Sequence, residues 1–127
     1  MSFRFRKYEK LKSQKRIEQI FQTGKSVSAY PLKLYYSPID TPLKTRFEVG
    51  FSVPKRHFKK AVDRNYIKRL LRENYRLNKN LLENLPAPSY GLMLVYTGKE
   101  IPDFTTLQRS YRKLIALFVK TETPNTP

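Results

Sequence analysis

Cysteine is absent from this 127-residue chain, which removes disulfides, thiolate metal sites and cysteine nucleophiles together. One histidine, His57, leaves little scope for zinc and is read as a surface or turn residue without a function. Acids are scarce too, with ten Asp and Glu against 26 Lys and Arg. They are scattered, and the one close pair, Glu100 and Asp103, sits at a helix start where Asp103 has a capping role. Metal-assisted RNA or DNA cleavage needs converging carboxylates, and general acid–base chemistry needs positioned His, Glu or Lys groups. No catalytic and no metal-binding residue is therefore expected in the polypeptide. No uncharged apolar run is long enough to cross a bilayer. Arg4, Arg6, Lys7, Lys10 and Lys12 interrupt the stretch where the apolar core of a signal peptide would lie, so a cytoplasmic location is expected.

What is abundant is positive charge. A formal net charge of +16 opposes compaction by self-repulsion and calls for a polyanionic partner, nucleic acid before an anionic membrane. If six to ten cations meet phosphates, affinity falls by roughly 10³ to 10⁵ between 50 and 200 mM salt. The length suits one domain spanning residues 1–127, with a basic N-terminal arm over about 1–12 and a disordered tail over about 121–127.

Hydrophobic periodicity divides that domain into elements. Ser13 offers an N-cap before Ile17, Ile20 and Phe21, with Gly24 as the stop. Ser26 to Ser37 reads as extended, with Pro31 at a bend or edge. Residues 39–44 carry turn chemistry and read as a hairpin connection. In the strand from Arg46 to Pro54, the residues Phe47, Val49, Phe51 and Val53 share one face, leaving Arg46, Glu48, Gly50 and Ser52 on the other. Ala61 to about Leu82 lacks Gly and Pro and reads as one long helix. Residues 84–91 read as a loop, and Leu92 to Thr97 as a central strand covered on both faces. Beyond Pro102, a capping-box pattern from Thr105 to Gln108 precedes an amphipathic helix through Leu107, Tyr111, Leu114, Ile115 and Phe118. The order α-β-β-β-α-β-α predicts an α+β two-layer sandwich, in which helices pack on a small, mostly antiparallel sheet of about four strands.

The long helix carries the sharpest pattern. At about 100° per residue, Arg64, Lys68, Arg72 and Arg76 form one stripe with Asn65 and Arg69 on its flank, while Ile67, Leu70, Leu71, Leu77 and Leu81 gather opposite. Cβ atoms on such a stripe lie only about 5–6 Å apart, so the like charges repel, and Glu73 is the acid available to offset them. Solvated helix faces usually mix signs. Phosphates would complete this one.

The stretch Val49 to Arg76, VGFSVPKRHFKKAVDRNYIKRLLRENYR, resembles the signature of the bacterial ribonuclease P protein family. Ala61, Val62, Arg64, Asn65, Lys68, Arg69, Arg72 and Glu73 fall in register with its Ala-Val-x-Arg-Asn-Arg, Lys-Arg and Arg-Glu pattern. Tyr66 departs from that pattern, standing where the family's second arginine usually lies and bordering the apolar side of the projection. The likeness extends over roughly residues 8–120.

The resemblance implies the fold of ribosomal protein S5 domain 2. It also implies a subunit of the ribonucleoprotein that trims the 5′ leader from precursor tRNA. In that family the RNA subunit performs the hydrolysis with Mg²⁺, so the holoenzyme is an endonuclease and the polypeptide alone is inactive. The implied partners are the ribonuclease P RNA and precursor tRNA, with no membrane and no DNA. Residues assigned by resemblance to the catalytic RNA are Arg64, Asn65, Lys68, Arg69, Arg72 and Arg76. Those assigned to the single-stranded leader are Ile17, Phe21, Tyr35, Ser52, Lys55 and Arg56. Ile17 stands where many relatives carry an aromatic, which leaves Phe21 and Tyr35 as the stronger stacking candidates. Ser52 and Gly50 would let a backbone approach closely, while Lys55 and Arg56 grip phosphates.

Three rival readings share parts of this pattern. A ribosomal protein would have the charge and size without needing the Arg64–Asn65–Lys68–Arg69–Arg72 spacing. A helix-turn-helix DNA binder needs two short helices around a tight turn. A membrane-surface helix needs an apolar stripe that is not committed to a core.

Overall fold

Alternating side chains give each strand an apolar and a polar edge, and that alternation decides which helices cover which side of the sheet. The computed structural model describes residues 9–123; the parts of the expected arm and tail at residues 1–8 and 124–127 lie outside them. The described elements are α1 (Gln14–Thr23), β1 (Lys25–Ala29), β2 (Leu32–Ile39), β3 (Phe47–Ser52), α2 (Ala61–Leu77), a 3₁₀ turn (Lys79–Leu82), β4 (Ser89–Tyr96) and α3 (Phe104–Glu122). This is the α+β order the sequence predicts.

The four strands lie in the order β1-β2-β4-β3. β1 and β4 run antiparallel to β2, and β3 runs parallel to β4. One face carries Val27, Leu34, Tyr36, Val49, Leu92 and Leu94 into the main core. α2 and α3 close it from outside, contributing among others Ile67, Leu71, Leu114 and Phe118. All five residues that marked the last helix as amphipathic, Leu107, Tyr111, Leu114, Ile115 and Phe118, are buried there.

The reverse face is only partly covered. α1 lies across it, burying Ile20 completely and packing it with Leu11 and Met93. A Cβ at Gly91 would come within 2.9 Å of Ile20 Cδ1, so a glycine here lets the helix seat on the sheet. Ser13 caps α1 by accepting from the Arg16 amide at 3.2 Å. Gly24 ends the helix with extended backbone dihedrals. Its need for glycine is steric, because a Cβ would run into the carbonyl oxygens of Ile20 and Tyr36.

Several boundaries differ from expectation. Residues 39–44 do not close a hairpin, because β4 intervenes between β2 and β3; the tight hairpin is instead β1–β2, turning at Tyr30–Pro31, whose peptide bond is cis. β4 begins at Ser89, inside the segment read as a loop, since Gly91 serves close packing rather than a turn. α2 stops at Leu77 and does not continue to Leu82. Asn78 ends it by donating its side-chain amide to the Asn74 carbonyl at 2.8 Å, while its own backbone N–H turns to Tyr75. α3 is capped by Asp103, the capping role read for it at this helix start, and the Thr105 to Gln108 pattern does not form the cap. The carboxylate accepts from the Thr106 amide at 2.8 Å and hydroxyl at 3.0 Å, and these bonds hold its pKa below the ordinary value. The helix extends to Glu122, two residues into the segment read as tail.

Candidate nucleic-acid interface

Side-chain alternation on β2, β4 and β3 aligns two rows on the reverse face. Ser26, Tyr35, Met93 and Gly50 form one, and Ser28, Lys33, Val95 and Ser52 the next. α1 covers the region beside these rows and leaves Tyr35 at its margin. Phe21, on the fourth turn-related position after Ile17, lies 4.7 Å centroid to centroid from the Tyr35 ring at a 59° tilt. Phe21 is 43 % exposed, so it lines the surface rather than the core. Ile17 and Tyr35 are partly buried against Leu11, Ile20 and Met93. The structure therefore brings Ile17, Phe21 and Tyr35 together at one edge of an open sheet surface.

Ser52 shares that surface, two strands from Lys33 and roughly 10 Å from it by strand spacing. Lys55 and Arg56 are exposed just beyond the end of β3. Gly50 does not supply the expected open approach, since the space above it is filled by Met93. Lys33, which the sequence reading passed over, places its ammonium 4.8 Å from the centre of the Tyr35 ring. Its signal was available, because Leu32, Leu34 and Tyr36 are core and the alternate positions must face the other way. Glu48, on the polar side of β3, is bound by Arg16 of α1 at 2.6 Å, so its charge is offset beside this surface.

The second candidate surface is on α2, and the buried residues rotate it from the projected position. Asn74 and Tyr75 are buried with Ile67, Leu70 and Leu71, whereas Leu77 and Leu81 are 39 % and 38 % exposed. The outermost positions are consequently Val62, Asn65, Tyr66 and Arg69, with Lys68, Arg72 and Arg76 on the shoulder. Tyr66 does not border the core; its ring lies under Arg69, whose guanidinium carbon is 5.4 Å from the ring centre. Arg64 is turned toward the preceding loop and donates from Nη1 to the carbonyls of Phe58 at 2.7 Å and Lys59 at 2.9 Å. Arg76 is paired with Glu73 at 2.6 Å. Asn65, Arg69 and Arg72 border one shallow cleft with Val62 and Tyr66.

Two positioning features lay beyond sequence reasoning. Glu9 is buried, accepting from the Tyr75 hydroxyl at 2.6 Å and the Lys79 ammonium at 2.7 Å. The Leu11 amide bonds to the Val49 carbonyl, so the segment covers the outer edge of β3 and ties it to the end of α2. Arg46 holds the 83–88 loop by donating to the carbonyls of Glu83, Leu85 and Ala87.

Among the described residues no group of three His, Cys, Asp or Glu side chains converges to hold a metal ion. None of the described helices is long and apolar enough to cross a membrane.

Known proteins are similar to this chain in fold and in sequence. The fold resembles the solved Staphylococcus aureus RNase P protein, with a TM-score of 0.70 at 23% identity over 88% of this chain and 96% of that one. It also resembles the Thermotoga maritima protein, with a TM-score of 0.64 at 24% identity over 91% and 99%. In sequence, the Porphyromonas gingivalis ribonuclease P protein component is 35% identical over 115 residues, 88% of this chain and 84% of that protein. The Chlorobium phaeobacteroides protein component is 34% identical over 123 residues, 87% and 84% of the two chains. The family model described as Ribonuclease P matches residues 5–119, a span that takes in every element from α1 to most of α3, and the chain thus belongs to the ribonuclease P protein family.

Proposed function

We propose that this chain is the protein subunit of ribonuclease P, binding the catalytic RNA through α2 and the 5′ leader of precursor tRNA across the open sheet surface. The observation that carries the reading is the separation of chemistries. Exposed Phe21 and partly buried Tyr35 pair as aromatics beside Lys33 on the sheet surface, whereas α2 presents a longer set of cations with an amide, and its one exposed aromatic, Tyr66, lies under Arg69. Stacking on Phe21 or Tyr35 tolerates any base and contributes about 1–3 kcal/mol per base, as a leader of variable sequence requires. Asn65, Arg69, Lys68 and Arg72 fit phosphates and ribose hydroxyls of a folded RNA, with Arg76 beside them. Arg64 acts there chiefly by ordering the loop that carries Lys55 and Arg56.

Ribonuclease P uses Mg²⁺ through its RNA subunit, where the ion would supply the hydrolytic chemistry; among the described residues no group of acidic side chains converges that would hold it. The polypeptide contributes by lowering phosphate repulsion and by fixing the leader. Adding the protein to a bacterial-type catalytic RNA is expected to raise cleavage of precursor tRNA at low Mg²⁺, with a gain that grows with leader length. Tyr35→Ala is expected to weaken substrate affinity by about 5- to 150-fold, the range that one lost stacking contact allows, while assembly with the RNA is unchanged. Cleavage unchanged by the protein would reject the assignment, and binding to ribosomal RNA as tight as to the catalytic RNA would favour a ribosomal role.

A further inference from the structure

The open sheet surface and α2 do not account for all the charge that faces outward. On α3, Arg109, Arg112, Lys113 and Lys120 are exposed, with Ala116 between them. At about 100° per residue these five positions fall within an arc of about 100°, and from Arg109 to Lys120 the helix advances about 16 Å. The one acid within α3, Glu122, is turned inward: its side chain is 7 % exposed, lies 3.8 Å from Lys25 Nζ and accepts from the Tyr90 hydroxyl at 3.1 Å. Asp103, at the helix start, accepts from Thr106 and lies near enough to Arg109 for that charge to help hold its carboxyl below the ordinary range, without reaching ion-pair distance. No ion pair within the described residues neutralises Arg109, Arg112, Lys113 or Lys120. Arg112 reaches only the Asn78 side-chain oxygen, at 3.4 Å.

We propose that the outward side of α3 is a second phosphate-contact surface for the catalytic RNA, separate from that on α2; this rests on the RNA partnership proposed above. Like charges three and four residues apart oppose helix formation, so an unmixed cationic arc of this length is maintained against a local cost. α3 packs beside α2 on the same face of the sheet. A polyanion docked on α2 can therefore continue onto α3, and the contact needs no base readout, only phosphates. An acidic protein is the other polyanion of suitable charge. The apolar cleft available to it, bordered by Leu81, Ile115 and Val119, measures only about 280 Å³, and the positions of the arc itself are almost all polar.

The absence of cysteine makes a direct test clean. Ala116→Cys on α3 and Val62→Cys on α2, each carrying an iron chelate, are assembled as full-length protein with the catalytic RNA, and strand cleavage by local hydroxyl radicals is mapped. Cleavage from residue 116 at an RNA segment distinct from that cut from residue 62 is expected. In parallel, the variant Arg109→Gln/Lys113→Gln/Lys120→Gln should lower the slope of log affinity against log salt by about 2 to 3, with a melting temperature no lower than that of the wild type. Cleavage from residue 62 alone, with an unchanged salt slope in the triple variant, overturns the α3 surface, leaves the RNA partnership standing and points to an acidic protein on that arc. Cleavage from neither position overturns the RNA partnership itself, and this inference with it.

Discussion

Arg64 offers the sharpest test of how α2 works, because the sequence pattern and the structure assign it different tasks. The pattern makes it the first cation of a phosphate-binding stripe, whereas in the structure one nitrogen of its guanidinium is spent on the carbonyls of Phe58 and Lys59. A hydrogen bond to a charged donor contributes about 1.5–3 kcal/mol where it is shielded from water. The bond to Phe58 is part-buried and the bond to Lys59 exposed, so the second is discounted and Arg64→Ala should cost about 2 kcal/mol. With an unfolding entropy of about 2.1 cal/mol/K per residue over a domain of this size, 1 kcal/mol corresponds to about 4 °C, and Tm should fall by about 8 °C. Arg69→Ala, whose side chain is exposed, should leave Tm within about 2 °C and weaken RNA binding instead. Differential scanning calorimetry and filter binding on the two variants separate the roles. An Arg64→Ala protein that melts like wild type but loses as much RNA affinity as Arg69→Ala would refute the loop-ordering assignment.

Two further outcomes follow from the packing. Gly91→Val forces a side chain against Ile20 Cδ1, which a single Cβ already approaches to 2.9 Å, and overpacking of this kind costs about 1–3 kcal/mol. Because α1 carries Phe21, leader-dependent substrate affinity should fall along with Tm while assembly through α2 persists; unchanged affinity would mean α1 does not depend on that close seat. The Tyr96 hydroxyl donates to the Glu100 carbonyl at 2.5 Å, and burial, followed by the charges of Tyr30 and Glu100, pushes its pKa up to about 12. A raised folded-state pKa stabilises below the ordinary value of 10 and loses that contribution as pH rises toward 12. Melting followed between pH 9 and 11.5 should therefore show a stability loss that is shallower in Tyr96→Phe, and parallel curves would reject the role of this hydroxyl.

Local periodicity carried most of the fold, and its failures share a physical cause. Strand β3 and helix α3 were legible because one face of each is apolar at a fixed period and is buried by neighbours of the expected kind. The end of α2 and the sheet order were not, because each depends on partners distant in sequence. Tyr75 is core with Glu9 meeting its hydroxyl, and Asn74 is buried beside it with its side-chain amide donating to the Leu70 carbonyl at 3.0 Å while its Oδ1 has no partner among the described residues. A projection that counts leucines as the buried side instead selects Leu77, which is 39 % exposed, and turns the whole helix. The same rotation explains why Asn65 and Arg69, read as flank, are outermost, and why Arg64 reaches the loop. Phe21 shows the converse limit. Its i, i+3, i+4 spacing suits a core as well as a surface, and the choice is made by where α1 crosses the sheet, which the glycine at position 91 permits. The candidate leader surface is therefore a product of one close helix–sheet approach, so its shape should respond to substitutions beneath α1 that never touch RNA.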